Sequence, residues 1–273
     1  MSARVGFVIA LACSAACSFE GQGIVPRDGG VDAPDAAIDA PDAPGSDRVQ
    51  DGLVALWTFN EVNGSLVAGE TSGRSPAVPL AVIDDAITTA PTFASGRLTL
   101  TTIGRLRSAM NTRLAGECST AVTLEAWVMT DRLTQGSAVE GRVIAGLAPS
   151  AGLRDIMVLQ AGDRWVGRVR TSALTDGKPE LVSTSKVVVN AMTHLVLVAE
   201  GTRRTLYVDD VPEGGVGMMG APVNWDLSYP MVLANEYQQE RPWVGTFALV
   251  ALYGKALTPA EIHQNFMLGP DAP

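Results

Sequence analysis

Histidine is nearly missing from this chain and cysteine is scarce: His194 and His263 are the two histidines, and Cys13, Cys17 and Cys118 the three cysteines. So few exclude a His-rich metal centre, a Cys₄ zinc site and a disulfide-stapled scaffold. Positive charge is also in short supply, with 20 Lys and Arg against 29 Asp and Glu and a net charge of −9. A chain of that sign does not neutralise a phosphate backbone, which excludes a nucleic-acid partner. No apolar run approaches the roughly 20 residues needed to cross a bilayer. The sequence carries neither a Gly-x-Ser-x-Gly elbow nor a His-Glu-x-x-His pair. What it does have is 273 residues that are 47% apolar, enough for one large domain or two small ones with an ample core.

The N-terminus reads as a targeting segment. Arg4 precedes the apolar run Val5-Gly6-Phe7-Val8-Ile9-Ala10-Leu11-Ala12, and Ser14-Ala15-Ala16-Cys17 follows. A run this short suits the h-region of a signal peptide. Small residues directly before a cysteine resemble a bacterial lipoprotein signal. The resemblance implies cleavage ahead of Cys17 and acylation of that residue, so residues 1–17 are the signal and the mature chain is held at a membrane by lipid alone. Cys13 is the alternative anchor, and a plain secretory signal is the competing reading. Ser18 after the cysteine, where retention signals have Asp, resembles signals that send lipoproteins on to an outer membrane or the cell surface.

Residues 18–50 read as a spacer. Its Asp/Ala/Pro tract from Asp32 to Pro44 has almost nothing to bury, and its prolines favour an extended, disordered chain. Seven acids against Arg27 and Arg48 give it a charge of −5. At about 3.1 Å per residue it reaches on the order of 100 Å when fully extended. Residues 270–273 repeat the composition as a frayed tail.

The body, residues 51–269, reads as all-β. Leu53-Ala55-Trp57-Phe59 alternate with Val54-Leu56-Thr58, and Val122-Leu124-Ala126-Val128 with Thr123-Glu125-Trp127, so one face of each strand turns inward. Further strands are expected at 142–147, 156–160, 165–171, 194–200, 205–208 and 244–253, with hairpin turns at Ala161–Arg164 and Gly201–Arg204. This many strands with no helix between them imply a two-sheet sandwich. Thr258-Pro259-Ala260-Glu261 carries a capping box with Pro at the first helical position, which predicts a short terminal helix over 259–267. Ile262, Phe266 and Met267 form its docking face, and His263 lies off that stripe in solvent. Cys118, just ahead of a strand, reads as a small buried residue.

Several landmarks in order resemble laminin G-like, concanavalin A-like domains. These are Leu53-Val54-Ala55-Leu56-Trp57, the strand Leu124-Glu125-Ala126-Trp127-Val128, and the hairpin from Thr193 to Asp210. Arg241-Pro242-Trp243-Val244-Gly245 and the closing Ala256 to Ile262 complete the set. The resemblance implies an antiparallel jelly-roll β-sandwich with a short C-terminal helix, used outside the cell for adhesion to carbohydrate or protein. Many relatives hold a structural Ca²⁺, but the acid that the family often has in its closing strand falls here on Ala248, and Asp51 is the one candidate ligand left. Glycosidases of the superfamily carry acids at alternating positions of one strand, spaced across the scissile bond. From Asp51 onward no two acids are separated in that way, so the domain reads as non-catalytic, with a glycoside hydrolase as the minor alternative.

Binding a sugar needs an aromatic ring beside amides, carboxylates and guanidinium groups. The segment Asn235-Glu236-Tyr237-Gln238-Gln239-Glu240-Arg241-Pro242-Trp243 supplies that mixture, and Trp225 is a second aromatic candidate. Glu236 and Arg241 read first as a clamp that closes the loop and only second as part of a ligand site. Trp57 and Trp127 belong to the core by their strand positions, while Trp165 and Trp225 are expected at the surface. His194 reads as a structural hairpin residue. No cofactor is expected; the partner is a glycan or an envelope or surface protein.

Overall fold

The alternating segments pair into two sheets in a computed structural model of the chain. It describes residues 47–83, 90–102, 104–118, 120–137, 140–150, 152–217, 220–222, 225–236 and 241–271. The expected signal, Cys17, the spacer up to residue 46, Tyr237 to Glu240 and the end of the tail lie outside the described residues.

In chain order the strands are β1 (Leu53–Trp57), β2 (Val67–Ala68), β3 (Leu80–Val82), β4 (Thr92–Ala94), β5 (Arg97–Leu100) and β6 (Leu106–Arg107). Helix α1 (Thr112–Glu117) follows, then β7 (Ala121–Met129), β8 (Arg142–Leu147), β9 (Ile156–Ala161), β10 (Arg164–Val169) and β11 (Leu181–Val182). The chain ends with β12 (Thr193–Glu200), β13 (Arg203–Val208), β14 (Val211–Gly217), β15 (Met231–Leu233), β16 (Gly245–Tyr253) and α2 (Pro259–Leu268). One sheet runs β14-β13-β12-β7-β16-β5-β4, with β1 also paired to β16. The other runs β11-β10-β9-β8-β15-β6-β3-β2. Every pairing is antiparallel, as in a jelly roll.

Between the sheets lies the main core, where Val122, Leu124, Ala126 and Val128 of β7 meet Ile156, Val158 and Trp165 from the other side. The outward faces are covered too, which the alternation alone did not predict. Leu53, Leu56, Trp127, Leu249 and Ile262 form a second apolar cluster beneath α2. Val143, Met157, Leu159, Val166 and Val232 form a third on the far face of the second sheet. β1 is therefore buried along both faces instead of one.

Helix α2 starts where its capping box places it. The Thr258 hydroxyl accepts from Glu261 N at 3.3 Å, and Glu261 Oε2 accepts from Thr258 N at 2.8 Å. Such a cap stabilises a helix by about 1 kcal/mol. Ile262 is buried and Phe266 stacks on Trp127 at 5.8 Å, but Met267 is 62% exposed and takes no part in the docking face. The place expected of Met267 belongs instead to buried Asn265. His263 is exposed and reaches Asp210 at 2.6 Å.

A helix does interrupt the strands. α1 spans six residues, is capped by the Asn111 side chain and buries only Leu114 and Ala115, too little to leave a periodic signal. Asp209 and Asp210 both hold positive φ, 48° and 68°, and turn β13 into β14. That is the backbone of a type I′ hairpin turn.

Candidate functional site

The loop after β15 begins at Ala234, whose φ of 64° redirects the chain. Asn235 Oδ1 accepts from the backbone N–H groups of Glu236 and Arg241 at 2.9 and 3.1 Å and closes the neck of the loop. Arg241 donates Nε and Nη2 to the two oxygens of Glu236 at 2.7 and 2.9 Å. Both side chains are buried. Arg241 O then accepts from Val143 N at 3.0 Å, which sews the loop to β8. The arrangement is the loop clamp: the fork of the guanidinium matches the carboxylate and uses up its acceptors.

The tryptophans turn away from solvent. Trp243 is fully buried, donates Nε1 to Gln160 Oε1 at 2.7 Å and meets the ring of Phe247 edge-on at 5.1 Å. Gly245 leaves room for it, since a Cβ there would lie 2.2 Å from Trp243 Cη2. Trp225 and Trp165, expected at the surface, are also buried, at 7% and 1% exposure. Trp225 donates Nε1 to Arg170 O at 3.1 Å, which satisfies its one polar atom and lets the ring pack inward. Asn235 and Glu236 are likewise at 0% exposure. As folded, none of these residues offers a ring face to a sugar, and the one amide nitrogen without a partner, Asn235 Nδ2, is buried. Of the residues singled out in the sequence, Arg241 alone lines a described cavity at this end of the molecule.

That cavity, about 310 Å³, has walls from Arg154, Arg168, Asp176, Lys178, Arg241 and Glu140. Arg168 sits on β10 two residues after Val166, on the outward face of the second sheet. Arg154 arrives from the connection between β8 and β9, and Arg241 from the clamped loop. All three arginines are nearly buried, at 2%, 3% and 2% exposure for Arg154, Arg168 and Arg241. Arg154 donates Nη1 to Asp176 O at 3.1 Å, and Arg168 Nη2 lies 3.4 Å from Glu180 Oε1. The Nε atoms of Arg154 and Arg168 find no acceptor. Burial, then the like charges of Arg241 and Arg168, pulls the Arg154 guanidinium down to about 10. Nothing local marks these residues in the sequence. Arg168 stands at an alternating strand position, where an arginine ordinarily means a solvated face, and Arg154 and Lys178 lie in connections, where charge is ordinary. The one signal is the apolar outward neighbour Val166 beside Arg168.

Other chemistry-bearing groups are engaged elsewhere. Asp155 is fully buried, with Arg170 at 3.5 Å, and burial lifts its carboxyl to about 7. Its neighbour Asp226 is held low by hydrogen bonds from Ser228. An acid pair pushed apart in this way is the pattern of a hydrolase, but Asp155 offers no surface to a substrate. Glu213 accepts from the backbone and hydroxyls of Thr184 and Ser185 and serves as a loop staple at a larger cavity of about 530 Å³. Asp51 pairs with Lys255 at 2.6 Å, and no cluster of three or more metal-ligating side chains occurs among the described residues. Cys118 is buried, and burial pushes its thiol well above the ordinary range, so it is inert. Among the described residues no helix is long and apolar enough to cross a membrane.

A family model described as the concanavalin A-like lectin/glucanases superfamily matches residues 107–263. No curated protein sequence matches significantly. Among solved structures, a Trypanosoma rangeli sialidase in complex with 2,3-difluorosialic acid is similar at 19% identity and a TM-score of 0.59, over 79% of this chain and 33% of that one. The ligand binding domain of botulinum neurotoxin serotype D, in complex with N-acetylneuraminic acid, is similar at 11% identity and a TM-score of 0.56, over 80% of this chain and 51% of that one. The receptor binding domain of a botulinum neurotoxin C/D mosaic serotype gives 10% identity and a TM-score of 0.58, over 80% of this chain and 52% of that one. This chain thus spans a third to a half of those neighbours, and at such identities the likeness is one of fold.

Proposed function

Because the chain belongs to the concanavalin A-like lectin/glucanases superfamily, we propose that it is a cell-envelope lipoprotein whose sandwich binds carbohydrate without catalysing its breakdown. The observation that carries the reading is the cavity framed by Arg154, Arg168 and Arg241, where guanidinium groups stand beside Glu140 and Asp176. Convergent donors and acceptors of this kind hydrogen-bond hydroxyl groups and fix a ligand's orientation. Two neighbours in fold are described in complex with a sialic acid or its derivative, which supports a glycan as the ligand class. The burial of Asp155 supports a non-catalytic role, since a general acid must reach the bond it protonates. Acylation of Cys17, with the acidic segment that follows it as a spacer, would hold the sandwich at a distance from an outer membrane. A glycan array probed with the purified protein tests this reading, with turnover of the bound glycans followed in parallel. Binding without turnover supports it; cleavage of a bound glycan replaces it with a hydrolase.

A second reading, adhesion to an envelope or surface protein, rests on another feature. Val188 and Val211, 62% and 56% exposed, line the larger cavity beside the edge strand β14. Exposed apolar side chains at an unpaired sheet edge suit a protein contact. Co-purification that survives Arg154→Met but fails with Val211→Glu would favour it.

A further inference from the structure

The cavity's cations are not each paired with a carboxylate, although the acids in and beside its walls equal them in number. Four of its walls are basic, Arg154, Arg168, Lys178 and Arg241, and two are acidic, Glu140 and Asp176. Arg241 is fully engaged by Glu236, and Arg168 has Glu180 at the limit of contact. Arg154 reaches only a backbone carbonyl, with no carboxylate in ion-pair range among the described residues. Orphaned Nε groups occur on other arginines too, Arg113, Arg170 and Arg204 among them, but none of these lines this cavity, where two such arginines meet. A buried N–H left without an acceptor keeps the full cost of its lost hydration. The like charges of Arg241 and Arg168 add to the cost of burying Arg154.

We infer that the cavity walled by Arg154, Arg168, Lys178 and Arg241 is an oxyanion site, which takes the carboxylate or sulfate of an acidic sugar. The inference rests on the glycan reading above and narrows it to a ligand class. The two orphaned Nε atoms are sealed within the wall, so an oxyanion in the cavity meets Arg154 and Arg168 through their Nη groups, of which Arg154 Nη1 and Arg168 Nη2 already have protein partners. A guanidinium suits a carboxylate or sulfate through such charge-assisted hydrogen bonds. The size agrees: about 310 Å³ is at the small end of ligand cavities, which start on the order of 300 Å³, and suits one sugar unit, not a chain. In a protein of net charge −9 the surrounding field repels anions, so a local basic pocket discriminates by placing attraction at one point only.

Titration calorimetry on the full-length protein tests this, with glucuronate, a galactose sulfate, neutral galactose, and inorganic sulfate as separate probes. The expected result is binding of the charged sugars at least tenfold tighter than neutral galactose, weakened by salt, and lost by tenfold or more in Arg154→Met. Glucuronate against galactose sulfate separates the two sources of oxyanion, and inorganic sulfate tells whether the sugar ring adds affinity. Arg203→Ala, on the other sheet, is expected to bind as the parent. Melting of unliganded Arg154→Met is expected at or above the parent temperature, because the variant removes a buried charge that lacks a carboxylate; a lower melting temperature with unchanged binding assigns Arg154 a structural role and overturns the proposal. Equal affinity for neutral and acidic sugars overturns the oxyanion site while the glycan reading stands. Binding of inorganic sulfate that Arg154→Met abolishes, with no sugar bound, keeps the oxyanion site and overturns the glycan reading.

Discussion

Arg48 and Glu125 form an ion pair across 77 residues of sequence, 2.5 Å from Nη1 to Oε1, with neither side chain touching solvent. Glu125 is a hub on β7. It also meets His194 Nε2 at 2.9 Å, Asn265 Nδ2 at 2.9 Å and the Tyr253 hydroxyl at 3.3 Å. Arg48 in turn donates to Gly269 O at 2.7 Å, and Val49 N donates to Asn265 Oδ1 at 3.0 Å. The segment that enters the sandwich and the helix that closes it are thereby fastened to one strand. Trp127, His194 and Phe266 stack beside the network and shield it from water.

The network makes stability depend on one carboxylate. Glu125→Ala strands Arg48 as an uncompensated buried charge, and breaking such a pair costs about 3–5 kcal/mol. The double variant with Arg48→Met should lose less than the sum of the two single losses, as denaturant titration of all four proteins will show. Burial pushes the Glu125 carboxyl up, but the Arg48 charge and the His194 hydrogen bond outweigh it and hold it near 2. A carboxylate depressed in the fold stabilises above its unfolded pKa and loses that contribution as pH falls. The melting temperature should therefore drop between about pH 4.5 and 2 in the parent, and far less over that window in Glu125→Gln.

Asp155 acts with the opposite sign. Its folded pKa, lifted by burial from 3.8 to about 7, means that the native state keeps a proton the unfolded chain has released. Stability then falls as pH rises between about 4 and 7. Asp155→Asn keeps Oδ1 for Asp226 N and has no charge to bury, so it should melt several degrees higher than the parent at pH 7.5 and nearly alike at pH 4. A lower melting temperature at pH 7.5 would mean that the Arg170 ion pair outweighs desolvation.

The sequence announced the strands and the terminal helix because their signals are local. Alternation marked β7, turn residues bracketed β9 and β10, and Thr258 with Glu261 wrote the start of α2 within four positions. The same locality explains what was illegible. Whether Trp225 faces water depends on Arg170 O, 55 residues away, and Leu53 is covered because α2 lies over it. The clamp between Glu236 and Arg241 was readable at a separation of five residues. The cavity was not, because Arg154 and Arg241 come from two separate connections and Arg168 from β10, and only the sheet order brings them together.

Attachment to a membrane should depend on the N-terminal cysteine. Cys118 is sealed in the core, so under the proposed lipoprotein reading the position to test for acylation is Cys17, with Cys13 as its alternative. Each buried lipid CH₂ contributes about 0.8 kcal/mol, so losing the chains should move the protein between fractions completely. In a bacterial host, Cys17→Ala should shift the protein from the membrane pellet to the soluble fraction, while Cys118→Ala stays in the pellet. Retention of Cys17→Ala together with release of Cys13→Ala would move the anchor to Cys13.

Trp243 and Arg154 should separate packing from recognition. Trp243 fills the space against Phe247 and above Gly245, with its one polar atom bound to Gln160. Truncating a buried aromatic costs about 3–5 kcal/mol, so Trp243→Ala should melt far below the parent yet bind acidic sugar with parental affinity per folded molecule. Gly245→Ala should behave alike, because its Cβ collides with the same ring. Arg154→Met should do the reverse, melting normally and binding poorly, since its guanidinium serves the cavity and not the core. Melting curves and titrations corrected for the folded fraction decide the matter. A Trp243→Ala protein that melts like the parent and loses binding would make the ring a sugar platform after all.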